Sequence, residues 1–371
     1  MAGQLTVVVA PDSFKGSLTS VEVARALSAG WLRGRPGDTL LLAPLADGGE
    51  GTLVAIAAAG GWDECTTIAT DPIGRPVEAR WLRSLDGRRA FVELASASGL
   101  SRLGADERDP LGASTLGTGE VLIAALDAGV RRVTLGIGGS ATNDGGAGIL
   151  RALGVAFDPA TGAADLAGLD PRLGDVDLRI ACDVTNPLLG EHGAAATYGP
   201  QKGADPGQVA ELDRRLGRYA DALEAAAGHR ERETPGAGAA GGTGFGLLCL
   251  RDRFHSLELV PGVELVMDET DLDGKLAGAD LVLTGEGRID AQTAFGKTAL
   301  GVARRAAAAG VPCIAVGGGV TPDGIAALAP LGVVVVPVAE QPGSVESAIA
   351  AGAAPVERCG ERIARLVSLL A

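Results

Sequence analysis

The residues best equipped for chemistry fall in short glycine-containing stretches. The longest is Gly136-Ile137-Gly138-Gly139-Ser140-Ala141-Thr142-Asn143-Asp144-Gly145-Gly146-Ala147-Gly148, set between an apolar run, Val133–Ile137, and a helix-like segment, Ile149–Leu153. Strand, glycine loop and helix in that order point bare backbone N–H groups at an anion and place a helix N-terminus behind it. Asn143 and Asp144 add an amide and a carboxylate beside such an anion. Similar stretches recur at Leu45–Thr52, Gly236–Gly246 and Gly285–Lys297. A lone glycine loop is as readily a tight turn, but several in one chain point to an active site.

The cations are unevenly used. Of 32 Lys plus Arg only four are lysines, Lys15, Lys202, Lys275 and Lys297, and three of these sit in glycine-containing polar motifs. The two asparagines, Asn143 and Asn186, fall in such loops as well. A compact ammonium and a forked guanidinium are not interchangeable at a crowded phosphate, so retained lysines there support function. Phosphoryl transfer needs cations and N–H groups around phosphates, carboxylates for Mg²⁺, and a carboxylate to take the acceptor hydroxyl's proton. Lys15, Lys202, Lys297 and Arg288 are candidate cations; Asp12, Asp47, Asp144, Asp183 and Asp290 are candidate carboxylates. Any one of these aspartates could equally be a helix cap or an Asx turn.

Competing motifs fit less well. Ala291–Thr298 nearly matches a Walker A loop, but its first required glycine is Ala291 and Gly285–Asp290 separates it from the strand. Gly236–Gly241 matches GxGxxG literally but follows Arg232-Glu233-Thr234-Pro235 rather than a strand. Gly136–Ala141 fits GxGxxA with Asp158 downstream, which keeps a nicotinamide-dependent oxidoreductase as an alternative. His192, His229 and His255 lack a nucleophile in a recognisable elbow.

The elements that must position these groups follow from length and pattern. The 371 residues suffice for two domains, and a net charge of −14 argues against nucleic acid or an anionic membrane surface as partner. Five dispersed cysteines without a CxxC pair read as reduced thiols of a soluble cytoplasmic protein. No signal peptide or membrane-spanning run is expected. Leu5–Ala10 and Thr39–Ala43 read as strands flanking a helix that Thr19 and Glu22 cap. Val77–Arg83 and Arg89–Leu94 read as a hairpin across Asp86-Gly87, which a pure βαβ series does not contain. Ser114–Ala128 and Pro206–Ala227 read as helices, and Gly228–Gly244 as a segment mobile without ligand. Leu281–Thr284, Cys313–Val316 and Val333–Val336 resume a strand-helix alternation closed by a helix over Val356–Leu369. The first ~70 and last ~85 residues are each small for an α/β domain, but pooled they supply five strands. The expectation is an α/β domain from residues 1–70 plus 287–371, with 71–286 inserted as a second α/β domain and the site in the cleft between them.

The chain resembles the type 1 glycerate kinases. The resemblance rests on Ala10–Ser17, Pro44–Thr52, Gly138–Gly148, Cys182–Leu188, Tyr198–Ala204, Gly241–Gly244 and Thr284–Asp290, which span nearly the whole chain in order. It implies a flavodoxin-like domain carrying an inserted one, and Mg-ATP-dependent phosphorylation of D-glycerate, usually at the 2-hydroxyl, giving 2-phosphoglycerate rather than 3-phosphoglycerate. On that basis glycerate is expected near Ser13, Lys15, Asp47 and Arg288, with Asp47, Asp290 and Lys15 as catalytic groups. The ATP phosphates are expected on Gly138, Gly139, Ser140, Asn143, Gly145 and Gly146, with Gly241, Gly242, Gly244 and Lys202 closing over them. Asp183 and Asp290 are the metal candidates. A non-catalytic sugar-acid-binding protein is the rival of a different class. The oligomeric state is not legible in the sequence.

Overall fold

A computed structural model describes residues 3–158, 161–295, 298–340 and 344–370. In chain order its strands are β1 (Thr6–Pro11), β2 (Thr39–Leu42), β3 (Trp62–Thr70), β4 (Pro76–Ser84), β5 (Arg89–Glu93) and β6 (Arg132–Gly136). They continue with β7 (Ala156–Phe157), β8 (Ala164–Asp165), β9 (Asp177–Ala181), β10 (Ser256–Val260), β11 (Leu281–Ile289), β12 (Cys313–Val320) and β13 (Val334–Pro337). Two compact units result. The first comprises Met1–Asp47, Val54–Gly60 and Val263–Ala371, the second Gly48–Leu53 and Gly61–Gly262.

The first unit is a five-stranded, all-parallel sheet in the order β13-β12-β11-β1-β2. Renumbered within the unit this is the flavodoxin order, whose ligand crevice lies where the winding reverses, beyond the carboxyl ends of β1 and β11. The helix Ser20–Gly34 starts at the expected capping box: Thr19 Oγ1 accepts the Glu22 N–H at 3.2 Å, and Glu22 accepts the Thr19 N–H at 2.8 Å. It packs against the last helix, Ala354–Leu370, so closely that a Cβ at Gly30 would overlap the Glu357 carbonyl. Gly360 meets the Leu27 backbone across the same seam. Val7, Val9, Leu27, Trp31, Leu283, Val316 and Ile363 form the core.

The second unit holds a six-stranded mixed sheet, β10-β9-β6-β5-β4-β3. β5, β6, β9 and β10 run parallel, while β4 pairs antiparallel with both β5 and β3. The hairpin turns at Asp86-Gly87 as its sequence implies: Asp86 accepts the Ser84 hydroxyl and the Arg88 N–H, and Gly87 has φ +71°. The register aligns Glu93, Gly136, Ala181 and Val260 along one carboxyl edge.

Unit bounds differ from the expected 70/71 and 286/287. Trp62–Thr70 pairs with β4 over its whole length and so joins the second sheet. Val263–Glu286 joins the first unit because β11 is the parallel partner of β1. β11 also runs five residues past the expected Thr284, since Gly285 fits against the Val316 carbonyl where a side chain would not. What reads as a glycine loop is therefore strand. Within Gly228–Gly244, expected to be mobile without ligand, Gly228, Arg230, Glu233 and Pro235 are exposed, whereas Gly236–Ala239 and Gly241–Gly244 are buried and lead into the helix Ala239–Leu248. Among the described residues no helix is long and apolar enough to cross a membrane.

Candidate active site

In the first unit the chemistry collects at the switch point. Asp12 and Ser13 follow β1, and the two-residue period of β11 puts Glu286 and Arg288 on one face, with Asp290 next in that series. Asp12 Oδ1 accepts the Ser13 N–H at 2.6 Å and Oδ2 accepts the Thr298 hydroxyl at 2.6 Å. Burial raises the Asp12 pKa above its ordinary value against those bonds, and the charge of Asp47 adds to the rise. Lys15 Nζ stands 4.0 Å from Asp47 Oδ2, both side chains exposed. Arg288 Nε is 3.0 Å from Asp290 Oδ2, and Asp290 Oδ1 accepts the Gln292 N–H at 2.9 Å. Glu286 is buried and takes the Thr293 hydroxyl at 2.7 Å. The unit thus gathers all five expected residues, Ser13, Lys15, Asp47, Arg288 and Asp290, as two cation–carboxylate pairs beside a buried acid. Lys297 lies outside the described residues.

In the second unit the glycine loop follows β6 as expected, but its parts divide into surface and scaffold. Gly138 is half-buried and Gly139 exposed. Gly139 gives its carbonyl to the Leu100 N–H, and among the described residues the N–H groups of Gly139 and Ser140 have no internal acceptor. Two adjacent donors at a strand's carboxyl end are what an anion needs. The other expected phosphate contacts are buried. Gly145 packs against the Tyr219 ring, Gly242 against Leu188 and Gly145, and Gly244 against the Gly236 carbonyl. Gly241, at φ +68°, sits where a Cβ would overlap the Thr142 carbonyl, and its own carbonyl accepts the Gly145 N–H at 3.0 Å. These glycines, with the buried Gly146, let two loops interlock, and of the loop's glycines Gly138 and Gly139 stay accessible.

Three polar residues are likewise engaged inside the second unit. Asp144 is committed to the scaffold, accepting Thr115 N–H and hydroxyl at 2.9 and 2.8 Å and the Gly146 and Gly148 N–H groups, both at 3.1 Å. Asn143 is buried and donates to the Pro110 carbonyl at 3.2 Å. Lys202 is buried, donating to Ser140 Oγ at 2.9 Å and the Thr142 carbonyl at 2.6 Å, and desolvation pulls its pKa down to about 7. Its ammonium holds the loop from within. Asp183 is exposed just past β9 with Oδ1 accepting the Gly262 N–H at 2.9 Å.

Sequence reasoning missed Glu93, which ends β5 buried with its carboxyl raised to about 7 by burial. An acid closing an apolar parallel strand was the available signal. It also missed Thr298, whose hydroxyl is fixed on Asp12.

A flavodoxin-like α/β unit with acid–cation pairs at its switch point, joined in one chain to a mixed-sheet unit bearing an anion-type glycine turn, is the plan of a small-molecule phosphotransferase. The sequence profile of the glycerate kinase family matches residues 7–368, and the chain belongs to that family. It is 46% identical to a glycerate kinase of Halalkalibacterium halodurans, the alignment covering 84% of this chain and 85% of that protein. It is 43% identical to the glycerate 2-kinase of Escherichia coli K12 over 86% of each. The crystal structure of a protein assigned as glycerate kinase 2 from Salmonella typhimurium LT2 superposes with a TM-score of 0.84 at 40% identity, covering 99% of both chains. The protein is accordingly an enzyme, a glycerate kinase.

Proposed function

We propose that the enzyme transfers the γ-phosphoryl group of ATP to the 2-hydroxyl of D-glycerate, releasing 2-phosphoglycerate and ADP in the cytoplasm. The observation that supports the nucleotide part is the Gly138–Ser140 turn, where the adjacent Gly139 and Ser140 N–H groups have no internal acceptor among the described residues. The relative named glycerate 2-kinase supports the choice of hydroxyl. Glycerate would place its carboxylate on Lys15 or Arg288, with the Ser13 hydroxyl on a substrate oxygen. Asp47 would orient the attacking hydroxyl and accept its proton, as a positioned carboxylate does in hydroxyl phosphorylation.

Mg²⁺ fits the carboxylates available. Among the described residues no three His, Cys, Asp or Glu form a preassembled cage. An ion carried on nucleotide phosphates needs only one or two protein carboxylates, because waters and phosphate oxygens complete its octahedron. Asp183, at the carboxyl edge that bears the glycine turn, is the better ligand; Asp290 already faces the Arg288 guanidinium at 3.0 Å. When bound, Mg²⁺ neutralises charge on the transferring phosphoryl oxygens.

The test is to supply D-glycerate and ATP and pass the product to enolase with and without phosphoglycerate mutase. The expected result is signal without the mutase. Signal only with the mutase would assign the 3-hydroxyl, and no ADP with glycerate would overturn the reading.

A further inference from the structure

Thr293 has no part in the proposed reaction, yet it is 0% exposed, in the turn Ala291–Phe295 that follows β11. Its hydroxyl is fixed in both directions. It donates to Oε1 of the buried Glu286 at 2.7 Å and accepts the Asp290 N–H at 3.1 Å. The Thr293 N–H in turn donates to the Asp290 carbonyl at 2.9 Å, and the Gln292 N–H donates to Asp290 Oδ1 at 2.9 Å. Asp290 is thereby held through its amide, its carbonyl and its carboxylate by the residues two and three places on.

The turn is seated on a fixed strand end. β11 pairs with β12 as far as Ile289, whose carbonyl accepts the Thr321 N–H at 3.0 Å. A Cβ on Gly324 would come within 2.5 Å of that carbonyl and 2.7 Å of the Asp290 nitrogen, so the helix Pro322–Leu328 lies directly on this peptide. Arg288, between Glu286 and Asp290, brings its Nε to 3.0 Å from Asp290 Oδ2, with 71% of the arginine side chain and 20% of the aspartate side chain exposed. An exposed ion pair does not by itself hold a long side chain in one geometry. Here one partner is already fixed. Among the described residues the ion pair of Arg288 uses Nε, so the two Nη groups can face a carboxylate end-on.

We propose, on the reading that Arg288 takes the glycerate carboxylate, that Thr293 is a positioning residue for substrate binding: Glu286 orients its hydroxyl, the hydroxyl fixes Asp290, and Asp290 holds the Arg288 guanidinium ready. An arginine ordered in advance removes the cost of ordering it when glycerate arrives. Loss of the hydroxyl takes the acceptor from the Asp290 N–H and the donor from Glu286. The carboxylate beside Arg288 then loosens, while the glycine turn proposed for ATP, in the second unit, is untouched. The effect therefore falls on KM for glycerate rather than on kcat or KM for ATP.

The experiment follows ADP formation from D-glycerate and ATP for wild type, Thr293→Val, Thr293→Ala and Thr293→Ser, and for Arg288→Ala with and without Thr293→Val. Val and Ala should raise KM for glycerate about tenfold, the scale of one long side chain left to be ordered on binding, with kcat and KM for ATP within about threefold of wild type. Ser, which leaves the same space as Ala but keeps the hydroxyl, should restore KM to within about threefold. Arg288→Ala should raise KM for glycerate at least as far, and adding Thr293→Val to it should change KM by less than about twofold, because the two act through one group. Val and Ala within twofold of wild type, Ser as impaired as Ala, an undiminished Val effect beside Arg288→Ala, or an equal loss in kcat and both KM values overturns the proposal. A wild-type KM in Arg288→Ala removes Arg288 from the substrate and overturns the proposal with it, whereas a raised KM there and none in Val or Ala overturns the role of Thr293 alone. Should Val and Ala not fold, amide exchange of wild type decides: the Asp290, Gln292 and Thr293 amides should be protected, and exchange at intrinsic rates sinks the proposal. Wild type that makes no ADP would sink the phosphotransfer reading instead, and calorimetric Kd values for glycerate in the same variants then take the place of KM.

Discussion

Replacing Lys202 by Met should give an enzyme that is more stable and less active. Folding moves this ammonium from water, where its pKa is 10.5, to a fully buried site where it is about 7. Each pKa unit is about 1.4 kcal/mol, so the charge costs about 5 kcal/mol at pH 6 and about 4 at pH 7, where half the folded molecules have released the proton. Met fills a similar volume without a charge but forfeits the bonds to Ser140 Oγ and the Thr142 carbonyl. Two lost bonds, with a buried carbonyl left unsatisfied, remove about 2–3 kcal/mol. The balance favours the variant by about 1–2 kcal/mol at pH 7. The sign reverses with pH. Folded Lys202 binds fewer protons than the unfolded chain between 7 and 10.5, so wild type gains stability across that window and the variant does not. Above it Met should be the less stable residue. Urea titrations at pH 6, 7, 8.5 and 10, read by amide exchange in β6 and the helix Ala147–Ala152, follow the unit concerned. With Ser140 no longer held, kcat/KM for ATP should fall about a hundredfold. A Met variant less stable than wild type by the same margin at every pH would refute the reasoning.

Asp47→Asn removes the proposed proton acceptor and should lower kcat by two or more decades while glycerate still binds; near-normal turnover would reassign the base. Asp144→Ala leaves two Thr115 donors and the Gly146 and Gly148 N–H groups without their acceptor. It should cost about 2–4 kcal/mol in chemical denaturation, and an unchanged midpoint would contradict its scaffold role. Gly241→Ala forces a methyl onto the Thr142 carbonyl and should cost about 3 kcal/mol or more, whereas Gly129→Ala, at φ +83° in open space, should cost only about 1. Equal melting-temperature losses for the two glycines would show that conformation rather than crowding decides.

What could be read in the sequence was what local chemistry decides. Thr19 and Glu22 cap their helix because the partners lie three residues apart, and Asp86-Gly87 turns its hairpin without help from elsewhere. Ser13, Lys15, Asp47 and Asp290 could be singled out as candidates because each follows a strand of a parallel sheet, whereas Arg288 lies within β11. The packing of Gly241 and Gly242 was not legible because their partners, Thr142 and Gly145, are about a hundred residues away, and no neighbouring residue reports that a loop is interlocked. The burial of Lys202 is hidden for a similar reason: nothing beside it in the chain announces that Ser140 and Thr142 surround its ammonium. Glu286 to Ile289 reads as loop since glycine weakens any strand pattern, and only pairing with β12 makes it strand.

The order of strands in the first sheet bears on how this protein is born. β1 leaves the ribosome well before its neighbour β11, which is encoded some 270 residues later, and the helix against which Ser20–Gly34 seats its small residues comes later still. At about 5–20 residues per second the N-terminal strand spends many seconds without that neighbour, exposing Val7, Val8 and Val9. The span Gly61–Gly262, unbroken in sequence, can meanwhile complete its own sheet. Nascent chains arrested before β11 should therefore carry a protease-resistant middle and a protease-sensitive beginning, and would be the species that chaperones hold.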